Sequence, residues 1–211
     1  MCRLLYIRAD RPFEIARHLD LFAEISRNSP EFQGHGWGCA WEKDGAWAFH
    51  HDIKPVWEDD RSGFGETTLL LAHARSAFRD EGIRVENNMP FFDGRYVFIF
   101  NGELQGVRIR EEGRIGAEKI FNFVKRFDKG NLLDAIERGV KVIENRTRYV
   151  RAMNFVVASL DDAYVVSSYS ENPDYFQLHR RTGDDLDLIC SSAWPGENGW
   201  RTIDNHTIQK I

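Results

Sequence analysis

The 211-residue sequence carries only three cysteines, Cys2, Cys39 and Cys190, and no two of them stand at CxxC spacing. An odd, scattered set argues against both a disulfide framework and a zinc cluster, so no metal is expected, and Cys39 and Cys190 read as core residues. Long hydrophobic runs are missing as well. No apolar stretch approaches the ~20 residues of a membrane span, and Arg8, Asp10 and Arg11 come too early for a secretory signal, which predicts a cytoplasmic protein with no membrane partner. There is no basic run, and the formal net charge is -5, so the electrostatic footprint of a nucleic-acid binder is absent. Repeats, low-complexity segments and linkers are also lacking. With 42% hydrophobic and 13% aromatic residues, residues 1–211 are expected to build a single domain around one sizeable core.

What is present begins at Met1-Cys2. Once the initiator methionine is removed, Cys2 is both nucleophile and base: its thiol attacks, and its free α-amine, with a reference pKa near ~8, takes the thiol proton directly or through a water. The plain alternative is that cysteine is simply a small second residue. The run Cys2 to Ile7 suits a buried strand that would hold the nucleophile rigidly. Pro12 is expected to open a helix whose apolar face is Phe13, Ala16, Leu19, Phe22, Ala23 and Ile25, stopped by Asn28-Ser29-Pro30. Asp44-Gly45 between two aromatic runs predicts a hairpin. His35, among glycines, is either structural or catalytic. His50-His51-Asp52 looks metal-binding only superficially, because adjacent strand residues point to opposite faces.

After a polar loop over 53–67, the strand Thr68 to His73 delivers Arg75, which reads either as a structural ion pair or as a bidentate clamp for a carboxylate. The strand from Tyr96 ends in Asn101-Gly102. Taken alone that step reads as a hairpin turn; it is also a compact candidate oxyanion hole, in which the Asn101 amide and the Gly102 N–H can converge on one oxygen. Helices are predicted over 117–126 and, capped by Asn131, to about Glu144. Strands follow at 154–159, 164–169, 176–180, 186–190 and 207–211, with turns at Asp161-Asp162 and Thr182 to Asp185.

In order and spacing, Met1-Cys2, Gly36-Trp37-Gly38, His73-Ala74-Arg75, Asn87 through Pro90-Phe91 and Phe100-Asn101-Gly102 resemble the class II glutamine amidotransferase family of N-terminal-nucleophile hydrolases. Ser191 to Trp200 is similar to the closing segment of small stand-alone members. The resemblance implies an α+β fold, a four-layer αββα sandwich of two antiparallel sheets with the nucleophile presented between them. It implies catalytic roles for Cys2, Asn101 and Gly102, and substrate binding by Arg75, Gly36 and Trp37. The substrate would be a small-molecule amide, glutamine or a γ-glutamyl compound, cleaved through a Cys2 thioester without a cofactor.

The sequence also departs from the family. Where many members carry an aspartate for the substrate α-ammonium, this chain reads Gly116-Ala117-Glu118, so Glu118 or Glu112 would have to substitute, or the α-nitrogen would have to be neutral. Met89 and Phe100 replace usual histidines. A 211-residue chain leaves no room for a synthase, which implies either a separate synthase subunit or a stand-alone hydrolase, the latter preferred. Two other classes stand beside this reading: a decayed member acting as a binding or regulatory protein, and another N-terminal-cysteine hydrolase that would not need Arg75 and Asn101-Gly102 together.

Overall fold

Residues 1–183 and 185–211 are described by a computed structural model. The N-terminal run forms β1 (Arg3–Glu14), and α1 (Ile15–Arg27) follows directly. The helix expected from Pro12 therefore starts three residues later. The cause is sheet pairing: after a register shift beyond Arg8, Phe13 and Glu14 pair with Thr67 and Glu66, and that ladder keeps Pro12 to Glu14 extended. Next come β2 (Trp37–Lys43) and β3 (Ala46–Asp52), joined where Asp44 and Gly45 both adopt positive φ, the geometry a two-residue hairpin demands.

The strand β4 (Glu66–Ala74) pairs with β1 on one side and β2 on the other. β5 (Phe91–Phe92) and β6 (Val97–Val107) lead to α2 (Gly116–Lys125) and α3 (Leu132–Asn145), where Asn131 caps as expected by accepting from the Asp134 N–H. Then come β7 (Thr147–Ala158), β8 (Ala163–Ser167), the short α4 (Pro173–Phe176), β9 (His179–Gly183), β10 (Leu186–Cys190), β11 (Arg201–Thr202) and β12 (Thr207–Lys210). The strand expected over 176–180 is broken: left-handed Asn172 and Pro173 start α4, so pairing begins only at His179. The expected turn from Thr182 to Asp185 joins β9 to β10, and its Asp184 lies outside the described residues.

One antiparallel sheet runs β11-β9-β10-β1-β4-β2-β3 and the other β12-β8-β7-β6-β5. Alternation along β1 separates the layers: Leu5 and Ile7 pack with Ile15, Leu19 and Phe22 of α1, while Leu4 and Tyr6 face the second sheet. On β6, Phe98 turns outward to stack on Phe121 of α2, which leaves Ile99 and Asn101 pointing inward. Helix, sheet, sheet, helix is the four-layer arrangement anticipated above. Among the described residues no helix is long and apolar enough to cross a membrane.

Candidate active site

The start of β1 is fastened on both sides. Leu4 exchanges hydrogen bonds with Ser191, and the Arg3 guanidinium, 4.2 Å above the Tyr175 ring, donates to the Ser191 carbonyl. Cys2 shares the inward parity of Leu4, so its sulfur faces the space between the sheets, where it accepts from the Ser76 N–H at 3.4 Å. Burial pushes the thiol above its ordinary value, against the pull of the Met1 ammonium, the Ser76 N–H and Arg75. A thiol in that state needs a base. Its nearest amine belongs to Met1, and that ammonium is ion-paired with Glu31. The Met1 carbonyl accepts from Gln33 at 2.6 Å and from the Tyr175 hydroxyl, and its side chain packs against Ala152, Tyr169 and Phe176.

The remaining groups are placed by register. Arg3, Ala74, Trp37 and Asp52 form one row across β1, β4, β2 and β3. One residue beyond that row, on the inward face, stand Cys2, Arg75 and Gly36, on strands spaced ~4.8 Å apart. Arg75 is buried and, among the described residues, its guanidinium hydrogen-bonds only the Asn88 amide oxygen, at 3.5 Å, while its backbone bonds to Gly36 and His35. Gly36, at φ 102°, has no room for a side chain, since a Cβ would lie 2.2 Å from the Asn88 amide. His35 accepts from the Ala77 N–H at 2.8 Å and so pins the segment after Arg75, the structural one of its two readings.

One pleat further in, His73 spans the gap by donating from Nε2 to the Phe100 carbonyl at 3.1 Å. This contact ties β6 to β4 across the gap immediately before Asn101 and Gly102. Asn101-Gly102 is therefore no hairpin turn, because β6 continues through it, with Asn101 paired to Asn154 of β7. Asn154 is satisfied by Phe176 and Ser168, whereas both side-chain polar atoms of Asn101 are buried without a hydrogen-bond partner among the described residues. Gly102 has to be glycine: a Cβ there would lie 2.2 Å from the Ala152 carbonyl oxygen.

Two expected residues lie elsewhere. The Trp37 side chain has the opposite parity, packs with the α1 layer and donates to Asp59 at 3.0 Å, so only its backbone borders the inward face. Glu118 accepts several hydrogen bonds from Arg114, side chain and backbone, which leaves its carboxylate committed. The ligand atoms of His50, Asp52 and Asp59 lie within 4.8 Å of one another. Asp59 there accepts from His50 and Trp37, and Asp52 from the Lys54 N–H.

The seating of His73 has a measurable consequence. Burial lowers its pKa from 6.5 to about 3. Between those values the unfolded chain binds one more proton than the fold, so stability rises with pH and falls on acidification by about 1.4 kcal/mol per unit. Urea midpoints measured from pH 7 down to pH 5 should show this. His73→Gln, which keeps a donor for Phe100 but does not titrate there, should reduce the slope by about one proton. An unchanged slope would contradict this seating of the ring.

No protein-family model matches the chain, and no curated protein matches it in sequence. Solved structures do match in fold. A glutamine aminotransferase class-II domain protein from Silicibacter pomeroyi superposes with a TM-score of 0.69 at 14% identity, covering 100% of this chain and 94% of that one. A predicted glutamine amidotransferase from Pseudomonas aeruginosa gives 0.61 at 16%, covering 99% and 96%. The glutamine phosphoribosylpyrophosphate amidotransferase of B. subtilis gives 0.63 at 16%; 90% of this chain spans 42% of that longer protein.

Proposed function

We propose that this protein is a glutamine amidotransferase-like amidohydrolase in which Cys2, freed by removal of Met1, cleaves the side-chain amide of glutamine or a γ-glutamyl compound. The observation that carries the reading is Asn101, a fully buried amide with no partner among the described residues, on the strand that His73 ties across the gap to the sheet of β1. Leaving such a group unsatisfied costs roughly 1–3 kcal/mol in the resting fold, a cost that a reacting oxygen would remove.

In the proposed reaction the Cys2 α-amine takes the thiol proton and the sulfur adds to the amide carbon. The oxyanion is held by Asn101 and the Gly102 N–H, and the protonated amine gives its proton to the departing nitrogen. Ammonia or an amine leaves, and the acyl group remains on sulfur as a thioester. Water, deprotonated by the same amine, then attacks the thioester, releasing the carboxylic acid and restoring the thiol. Arg75 supplies a buried cation for the substrate carboxylate. The ammonia goes either to solvent or to a separate synthase subunit; the likeness to two solved proteins of nearly this length supports the stand-alone arrangement.

The seating of Met1 favours a second reading, a binding or regulatory protein that keeps its methionine. One experiment separates the two. Intact mass should show Met1 removed, and 6-diazo-5-oxo-norleucine, an electrophilic glutamine analogue, should add one equivalent on the N-terminal peptide. A correctly processed protein that resists labelling and releases no ammonia from glutamine or its Nα-acyl derivatives would overturn the amidohydrolase reading.

A further inference from the structure

We propose that the substrate of this site carries an acyl group on its α-nitrogen, and that an aromatic cavity next to Asn88 houses that group. The inference rests on the amidohydrolase reading and narrows its substrate class. A cavity of about 340 Å³ opens where β3, the edge of one sheet, faces β5, the edge of the other. Phe49, Pro90, Phe91 and Phe92 wall it, and buried Asn88 belongs both to its lining and to the surroundings of Arg75. Its size falls in the range of small-ligand sites, and aromatic walls suit a flat apolar group.

The orientation of Asn88 decides what can sit between cavity and guanidinium. Its amide nitrogen donates to the Asp52 carbonyl at 2.8 Å, which turns its oxygen toward Arg75. A carboxylate held by Arg75 would therefore place the adjoining nitrogen beside a neutral, single acceptor. A secondary amide N–H satisfies such an acceptor. An ammonium brings three donors and a full charge, and needs a carboxylate.

None is at hand. Among the described residues no carboxylate pairs with Arg75. Glu118 is committed to Arg114, which lines the cavity with its guanidinium 5.3 Å from the Phe91 ring, so Glu118 offers no free carboxylate there. Glu86 stands exposed at the mouth. The three features form one line: reacting amide at Cys2 and Asn101, carboxylate at Arg75, and an acyl substituent continuing past Asn88 into the aromatic cavity.

The test compares ammonia release by the processed protein from glutamine, Nα-acetyl-glutamine and Nα-phenylacetyl-glutamine. The phenylacetyl compound is expected to exceed free glutamine in kcat/KM by about ten-fold or more. Phe92→Ala removes a side chain that is 44% exposed, so the core stays intact. It should lower the phenylacetyl-to-acetyl ratio by roughly five-fold. Free glutamine turning over as well as the acylated compounds, or a ratio unmoved by Phe92→Ala, would overturn the inference while leaving the amidohydrolase reading intact. So would a Glu86→Gln variant that loses turnover of free glutamine selectively, since the ammonium would then be held at the mouth. If the diazo analogue and all three amides fail, the parent reading falls and this one with it.

Discussion

Cys2→Ala is expected to lower amide hydrolysis by roughly 10⁴-fold or more, because it removes the atom that forms the covalent bond in the proposed reaction while leaving the fold untouched. Cys2 makes few structural contacts: among the described residues its sulfur hydrogen-bonds only the Ser76 backbone, at 3.4 Å and 3.7 Å. The variant should therefore keep its melting temperature and still bind the acylated substrate. The companion measurement blocks the base instead of the nucleophile. A chain extended ahead of Met1 keeps Cys2 and its surroundings but ties its nitrogen into a peptide bond. It should be as inactive as the alanine variant, since burial leaves the thiol protonated at neutral pH with nothing to take its proton. Full activity in the extended chain would remove the α-amine from the mechanism.

The second large effect is at Asn101. Asn101→Leu is expected to reduce kcat by 10²–10³, or ~3 kcal/mol of transition-state stabilisation, with a smaller change in KM. The same substitution should leave stability unchanged or raise it. Both polar atoms of Asn101 are buried without partners, so an apolar residue of similar volume removes a cost instead of a bond. A structural asparagine would behave in the opposite way, destabilising the fold when replaced. Kinetics and thermal unfolding on the same preparation decide between them: loss of stability without a kcat defect would sink the assignment.

The local features were legible in the sequence because each depends on a few neighbouring residues. Asp44-Gly45 turned as that dipeptide does between aromatic strands, and Asn131 capped the helix it precedes. The apolar run behind Cys2 became a central strand. What stayed hidden was set by distant chain. Asn101-Gly102 reads as a turn until β7 is known to pair along its whole length. Trp37 belongs to the site by motif, yet strand parity sends its indole into the α1 layer. Glu118 is the exception: Arg114 claims it from four residues away, an i,i+4 pairing that the local sequence does carry. The cage around Met1 brings Glu31, Gln33 and Tyr175 together across more than 140 positions of sequence. The cavity beside Asn88 lies between two sheet edges, and no motif describes an edge.

The groups that would share one substrate ride on different plates. Cys2 and Arg75 belong to the seven-stranded sheet and Asn101 to the five-stranded one, with the uncharged His73 ring among the struts between them. Attack distance is thus a matter of how far apart two rigid slabs are held. Any substitution that thickens or thins the filling between them, even one remote from every reacting atom, would retune the rate in the manner of a gauge block.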